Sequence, residues 1–402
     1  MQQSSDVLSR VRFLVNDADG ITEMGSVSPM SPFDPAIVDF LDAVSKKLLG
    51  LKELRIYPDI ASFAFWIRRS SVLKLRERAA AGGTVLGRGV AFHVAPSNVP
   101  VNFAYSLAVG LMAGNANIVR VPSKEFEQVG LIAGAFDGAL KEHQNMRPYV
   151  ALVRYDRDDK PVTDLFSEMA DVRVIWGGDR TVADIRRSPM GPRAQEITFA
   201  DRYSFAVMDS DAYLDVKDKG RTIEGFYNDT YWTDQNACTS PQLIVWHGKR
   251  VQEARDDFWK RLGEYVSGRY DMQPVQSIDK YSMFCSFASG YDGKVRLLDS
   301  EDNLIVRVEI DRVTRSLTDF KFNSGLFAEY VCGSAEELTD LCNDKKVQTV
   351  SYVGDARFLE PVLRKGVRGV DRIVPVGQSM DFDIVWDGYD LIPTLTRTVD
   401  IR

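Results

Sequence analysis

Residues 89–98, Gly89-Val90-Ala91-Phe92-His93-Val94-Ala95-Pro96-Ser97-Asn98, decide the fold class. The first seven form an apolar run of strand length, stopped by a Pro-Ser-Asn turn. Downstream, about Asn102 to Met112 has the pattern of a helix, with Gly114 as its C-terminal stop. Ile118-Val119-Arg120-Val121, closed by Pro122, is the next predicted strand, and Val129, Ile132, Ala133, Phe136 and Leu140 share one helical face. Val172–Trp176 is a strand running into Gly177-Gly178, followed by a short helix around Val182–Arg187 and a strand at Tyr203–Met208. Strands alternating with helices at this spacing predict a parallel, doubly wound α/β sheet.

On the N-terminal side, residues 1–80 read as mostly helical, with Ile37, Phe40, Leu41 and Val44 at helical spacing and a second stretch over Ile60–Ala80. On the C-terminal side a second αβ series begins after Asp215. It comprises a helix before Cys238, a strand at Leu243–Trp246, a helix at Val251–Val266 and strands near Leu304–Ile310 and Leu326–Val331. A helix at Ala335–Asn343 and elements at Thr349–Val353, Phe358–Lys365 and Arg372–Val376 follow. The expected organisation is an N-terminal helical segment (1–84) packing on a nucleotide-binding domain (85–212), then a domain carrying Cys238 (213–370) and a C-terminal segment (371–402).

The 402 residues are 45% hydrophobic and 27% charged, an ordinary globular mix. The net charge of −7 gives no support to nucleic-acid or anionic-membrane binding, which wants a basic face. The N-terminus shows no apolar signal core, and no apolar run reaches the roughly 20 residues needed to cross a bilayer. The expectation is a soluble cytoplasmic protein without a membrane span. Four cysteines without tight pairing make no disulfide framework, and with three histidines they show no metal-ligand spacing, so no metal is expected.

Cys238 sits in Asp234-Gln235-Asn236-Ala237-Cys238-Thr239-Ser240-Pro241, among small polar neighbours that suit a thiol in a cleft. The bland alternative for any cytosolic cysteine is a small buried hydrophobe, and Cys285, Cys332 and Cys342, with apolar neighbours, fit it. Asn98 follows a strand, where a side-chain amide can donate to an oxyanion, although a turn role alone would account for it. Gly177-Gly178 between strand and helix can form a phosphate turn but lacks the full dinucleotide fingerprint. His93 and His247 follow apolar strand residues and are expected to be packed rather than catalytic.

Together these stretches are more specific than any one of them. Gly89–Asn102, Gly114–Lys124, Asp234–Pro241, Gly369–Gly377 and Val385–Asp390 resemble, in order, the LuxC-type acyl-CoA reductases, the reductase component of fatty acid reductase systems. That family is a branch of the aldehyde dehydrogenase superfamily. The resemblance implies an aldehyde dehydrogenase-like α/β fold: a doubly wound nucleotide-binding domain, an α/β catalytic domain and a small oligomerisation element within a homo-oligomer, with Leu391–Ile401 as a candidate exchanged strand. It implies Cys238 as nucleophile and Asn98 as oxyanion donor. It places Arg120, Ser123 and Lys124 at the adenosine ribose and Gly177, Gly178 and Thr181 at the pyrophosphate. Ser123, where NAD-dependent members often carry Glu, leans the cofactor towards NADPH over NADH. CoA would be the leaving group of an acyl-CoA substrate, or an acyl-protein synthetase of LuxE type would load Cys238. Where hydrolytic members carry a general-base Glu, Phe199 stands here, with Glu196 or Asp201 as alternatives if the alignment slips. This favours reduction over two alternatives: an aldehyde dehydrogenase that releases acid, and a non-catalytic subunit.

Overall fold

Val90–Val94, Ala116–Arg120 and Val172–Trp176 are buried at every position, the burial a parallel sheet covered on both faces imposes. The computed structural model describes residues 6–79, 83–97, 99–298 and 302–402. The chain divides into two units, residues 1–200 with 389–402, and residues 201–388.

The first unit contains β1 (Arg12–Val15), β2 (Thr84–Gly87), β3 (Val90–Val94), β4 (Ala116–Arg120), β5 (Val150–Arg154), β6 (Val172–Trp176) and β7 (Gln195–Phe199). Its main sheet has the order β1-β5-β4-β3-β6-β7, parallel except for the edge strand β1. The chain winds outward from β3 through β4 to β5, then returns to β6 on the other side of β3. The strand order therefore reverses at β3, and the loops leaving β3 and β6 border the crevice where doubly wound sheets bind their ligands. Asn102–Met112 packs against β3 and β4, and Lys160–Met169 against β3. Thr396–Val399 pairs antiparallel with β2 of the same chain.

Several elements differ from the sequence expectations. The N-terminal region is not only helical, because Arg12–Val15 forms a strand; with four residues and one buried side chain, it carries too short a signal to detect. The stretch expected as one helix over Ile60–Ala80 is two, Pro58–Trp66 and Arg69–Arg78. Ala80 and Gly82 lie outside the described residues.

Beneath the β3 loop runs a buried polar chain. His93 Nε2 faces Asn117 Oδ1 at 3.0 Å and His93 Nδ1 faces Ser106 Oγ at 2.7 Å. Trp176 Nε1 donates to Ser106 Oγ at 2.9 Å, and Asn117 Nδ2 donates to the Asn115 carbonyl at 2.6 Å. Because the Asn117 amide nitrogen is committed, its oxygen must accept, which fixes His93 as the neutral Nε2–H tautomer. Gly110 makes room for this chain, since a Cβ there would sit 1.9 Å from Asn117 Oδ1.

The second unit contains β8 (Tyr203–Asp209), β9 (Pro241–His247), β10 (Val295–Leu297), β11 (Val306–Ile310), β12 (Leu326–Val331), β13 (Val347–Val353) and β14 (Arg372–Pro375). They form one sheet of order β10-β11-β12-β9-β8-β13-β14, parallel except for the edge strand β10. Helix Val251–Ser267 brings Arg255 and Trp259 to the buried Glu329 of β12, which accepts from Trp246 Nε1 at 2.9 Å, Trp259 Nε1 at 3.0 Å and Arg255 Nε at 3.0 Å. A helix not anticipated from the sequence, Pro274–Gly290, leaves Cys285 exposed; the expectation of a buried thiol there is corrected. Phe287 is the buried residue of that turn, and Cys285, two positions before it, falls on the outer face. Cys332 and Cys342 are buried as expected, and burial pushes both thiols up to about 12.

Burial lowers His93 to about 4. The unfolded chain therefore takes up a proton below about pH 6.5 that the folded chain refuses until about pH 4. Stability contributed by neutral His93 is complete above that window and lost as pH falls through it. Urea unfolding of the wild type and His93→Gln at several pH values should show an excess loss in the wild type approaching about 3 kcal/mol across the window. Equal slopes would contradict the assignment.

Candidate active site

Cys238 lies in the turn that enters β9, so it sits at the N-terminal edge of the second unit's parallel sheet. The turn is unusual in its backbone: Asp234 and Gln235 both adopt positive φ, 51° and 61°. Such consecutive left-handed residues cost energy unless other contacts hold them. Gln235, fully buried, supplies those contacts. Its Nε2 donates to the carbonyls of Pro241 at 2.9 Å and Leu326 at 3.1 Å, while its Oε1 accepts from Gly325 N at 3.1 Å. Gln242 adds a second clamp, donating to the Gln235 and Ser240 carbonyls at 3.3 and 3.4 Å and accepting from Phe322 N at 2.5 Å. Ser324 N donates to the Asp234 carbonyl at 2.9 Å, and Tyr270 Oη to Asp234 Oδ1 at 2.6 Å. Ser204 Oγ donates to the Cys238 carbonyl at 2.7 Å. Among the described residues nothing accepts from the Cys238 backbone N–H, which stays available as a donor.

The thiol itself is half-buried. Burial raises its pKa above the ordinary value and the Asp387 carboxylate raises it further, while the Gln348 amide and the charges of Lys321 and Arg202 act in the opposite sense. Asp387 is itself committed: Arg202 Nε lies 2.6 Å from its Oδ1 and Gln348 Nε2 donates to the same oxygen at 2.7 Å. Arg202 also pairs with Asp371. His247 stacks on Phe358 at the opposite end of β9, seven residues of strand away, so it is no base for this thiol.

The loop between β14 and residue 388 covers this turn. Thr239 Oγ1 donates to Met380 Sδ at 3.2 Å, and Arg372 stacks over Trp386 at 4.3 Å while donating to the Ser379 and Asp381 carbonyls. The buried Asp229 anchors the loop by accepting from Gly377 N at 2.7 Å and Ser379 N at 3.1 Å, although burial raises it to about 6. Beside the turn, Asp201, Arg202, Tyr203, Gln242, Phe320 and Lys321 line a cavity of about 240 Å³.

In the first unit, Arg120 ends β4, and Ser123 and Lys124 follow it at the C-terminal edge of the sheet. Ser123 and Lys124 are exposed, whereas Arg120 is 8% exposed and stacks over Tyr155 at 4.7 Å. Gly177 and Gly178 follow β6; Gly178 caps the helix Asp179–Ile185 without a side-chain hydrogen bond. A Cβ at Gly177 would come within 3.0 Å of Thr181, so the turn closes tightly only with glycine. These groups fit a dinucleotide: small residues at the switch point, with an exposed hydroxyl and ammonium on the neighbouring strand end. Phe199 stacks on Trp176 at 3.6 Å, and Glu196 is held by Arg173 and Arg186 at 2.5 and 2.6 Å. Asn98 lies outside the described residues. His93 and His247 are packed, as expected.

Sequence reasoning missed Gln235, Gln242, Gln348, Arg202, Lys321 and Arg372. Gln235 and Gln242 lay within four residues of Cys238 and could have been weighed; the others meet it only through the sheet.

Comparison with known proteins identifies a family and a fold. The family model described as acyl-CoA reductase (LuxC) matches residues 68–284, more than half of the chain. The long-chain acyl-protein thioester reductase of Aliivibrio fischeri is 22% identical over 308 residues, 74% of this chain and 60% of that protein. The reductase of the same name from Photorhabdus luminescens is 21% identical over 311 residues, again 74% and 60%. The aligned chain thus spans about three fifths of the length of these curated relatives. Among solved structures, aldehyde dehydrogenase 21 from Physcomitrella patens in complex with succinate superposes with a TM-score of 0.65 at 12% identity, covering 95% of this chain and 88% of that one. An NAD-dependent aldehyde dehydrogenase from Sinorhizobium meliloti gives 0.64 at 15% identity, covering 94% and 80%. The fold is that of the aldehyde dehydrogenases. Among the described residues no helix is long and apolar enough to cross a membrane, and no cluster of residues could hold a metal ion.

Gln235→Gly tests the clamp, because glycine adopts positive φ freely and only the amide is lost. Stripping the partners of three buried hydrogen bonds should cost about 3 kcal/mol in urea unfolding. Wild-type stability would mean that the amide does not hold the turn.

Proposed function

The chain belongs to the LuxC family of acyl-CoA reductases, and from that premise we propose that it reduces an acyl thioester to an aldehyde through an acyl-enzyme on Cys238. The observation that carries this reading is the Cys238 turn itself. Cys238, a half-buried residue, is held in a rigid, hydrogen-bonded loop with its own N–H unshared.

Cys238 Sγ attacks the thioester carbonyl carbon, and its N–H together with Asn98 donates to the oxyanion that forms. Such a donor is commonly worth about 3–4 kcal/mol in the transition state. Collapse breaks the bond to the donor sulfur, which leaves as a thiol after taking a proton; with an acyl-CoA substrate the leaving group is CoA. A bound reduced nicotinamide supplies hydride to the acyl carbon. The same two donors then hold the thiohemiacetal oxygen until it collapses to aldehyde and frees the Cys238 thiolate.

The unit of residues 1–200 with 389–402 is assigned to the cofactor, held at Ser123, Lys124, Gly177, Gly178 and Thr181 with Arg120 behind them. The hydroxyl of Ser123 and the ammonium of Lys124 accept a 2′-phosphate where a carboxylate would repel it, which favours NADPH. Survival of the acyl-enzyme requires that water not be activated beside it. Asp387 is tied to Arg202 and Gln348, and Glu196 to Arg173 and Arg186, so neither carboxylate is free to serve as base. The acyl donor is an acyl-CoA or an acyl group delivered by a synthetase partner of LuxE type, and the active form is a homo-oligomer in the cytoplasm.

The test is aldehyde formation from a panel of acyl-CoAs with NADPH or NADH, with and without such a synthetase. Wild type should give aldehyde, faster with NADPH. Cys238→Ala should give none, and Ser123→Glu should lower the preference for NADPH. No aldehyde under any of these conditions would overturn the proposal.

A further inference from the structure

Arg120 ends β4 with its carbonyl committed, accepting from Ala95 N at 3.0 Å, but its side chain is left over. It is 8% exposed, and among the described residues no carboxylate or carbonyl accepts from its guanidinium. The contact it does make is with Tyr155, whose ring centre lies 4.7 Å from the guanidinium carbon. The next strand end shows the ordinary arrangement: Arg154 of β5 pairs with Glu125 and donates to the Pro122 carbonyl at 3.1 Å. Nearby carboxylates are occupied by other groups, Glu125 by Arg154 and Arg12, and Asp159 by Arg10 at 3.1 Å and Val162 N at 3.4 Å. Tyr155 is itself buried and held from two sides. Thr163 Oγ1 donates to its hydroxyl at 3.2 Å, and Phe166 packs edge-on against its ring at 5.8 Å. Both belong to the helix Lys160–Met169 that packs on β3.

We propose that Tyr155 is a positioning residue that sets cofactor preference: its ring holds the Arg120 guanidinium at the end of β4, with the N–H edge free for the 2′-phosphate of the nicotinamide cofactor. Stacking on an aromatic face fixes the plane of a guanidinium and spends none of its N–H groups. A buried cation is costly without an anion beside it, and here the protein supplies none. Its place, at the C-terminal ends of parallel strands beside the reversal of strand order, is where such a fold receives its ligand. Ser123 and Lys124 are exposed and screened by solvent, whereas Arg120 offers a sheltered planar fork that matches phosphate. The inference rests on the assignment of this unit to the cofactor and is measured without any acyl donor.

The experiment titrates NADPH and NADH separately into the full chain, followed by nicotinamide fluorescence, and reads the ratio of the two dissociation constants. Wild type should favour NADPH. Tyr155→Leu and Arg120→Met should each cut that preference roughly tenfold by weakening NADPH alone, and Tyr155→Phe, which keeps the ring face, should retain it. The double variant should be no worse than Arg120→Met, because the ring acts through the cation. Tyr155→Met gives a second side chain without a ring should Tyr155→Leu not fold. A role of Tyr155 in packing alone would weaken both cofactors equally, and an unchanged ratio in the ring-less variants or in Arg120→Met would overturn the inference. CoA, whose adenosine carries a 3′-phosphate, is titrated in parallel, and a loss confined to CoA would also overturn it. If the ratio shifts but wild type gives no aldehyde from any donor, the inference stands and the reductase reading falls. If wild type makes aldehyde and the ratio is unmoved, the reverse holds; a wild type that binds neither nicotinamide overturns both.

Discussion

The arrangement around Cys238 depends on one constraint: the turn entering β9 must carry two consecutive left-handed residues, Asp234 and Gln235. Without tertiary bonds a chain avoids that geometry. The Gln235 amide supplies them by reaching across to Leu326 and Gly325 at the start of β12, so the Cys238 turn is fastened to the neighbouring strand. Ser204 on β8 fastens it from the other side, and its hydroxyl also accepts from Thr349 N of β13. Three strands thereby fix a single loop. Such rigidity is what the proposed role of Cys238 needs, since a misplacement of 1 Å can cost about a hundredfold in rate.

The two units use opposite ends of their sheets. In the first, the candidate cofactor residues follow β4 and β6 at the C-terminal ends of parallel strands, beside the point where the strand order reverses. In the second, Cys238 precedes β9 at the N-terminal end. Many reactive cysteines take their activation from a helix N-terminus or a histidine. Around Cys238 the lowering influences are side chains, among them Lys321 and Arg202, and they only partly counter the burial and the Asp387 charge that hold the proton on sulfur.

Much of the fold was legible in the sequence because its strands are short, fully buried and bounded by Pro or Gly: Val90–Val94 before Pro96, Ala116–Arg120 before Pro122, Val172–Trp176 before Gly177. Edge strand Arg12–Val15 escaped, having one buried residue and no room for a period. Helix Pro274–Gly290 escaped because only Lys280 and Phe287 of its side chains are buried, which leaves no apolar stripe to find. Burial of Cys285 was misjudged from its neighbours in sequence, when the helix turns it away from Phe287. The place of Cys238 in a turn just before a strand was legible from its local setting. Its supporting groups were not, because Arg202, Lys321, Gln348 and Asp387 span most of the second unit and only strand pairing brings them to one end of the sheet.

The central claim is that Cys238 accepts the acyl group covalently. The most direct measurement is the mass of the Cys238 peptide after incubation of the full chain with acyl-CoAs, and with an acyl-loaded synthetase, in the absence of nicotinamide. The account predicts one acyl adduct on Cys238, none on Cys285, and its disappearance with release of aldehyde when NADPH is added. An unmodified Cys238 peptide with every donor, or an adduct that NADPH fails to discharge, would contradict it.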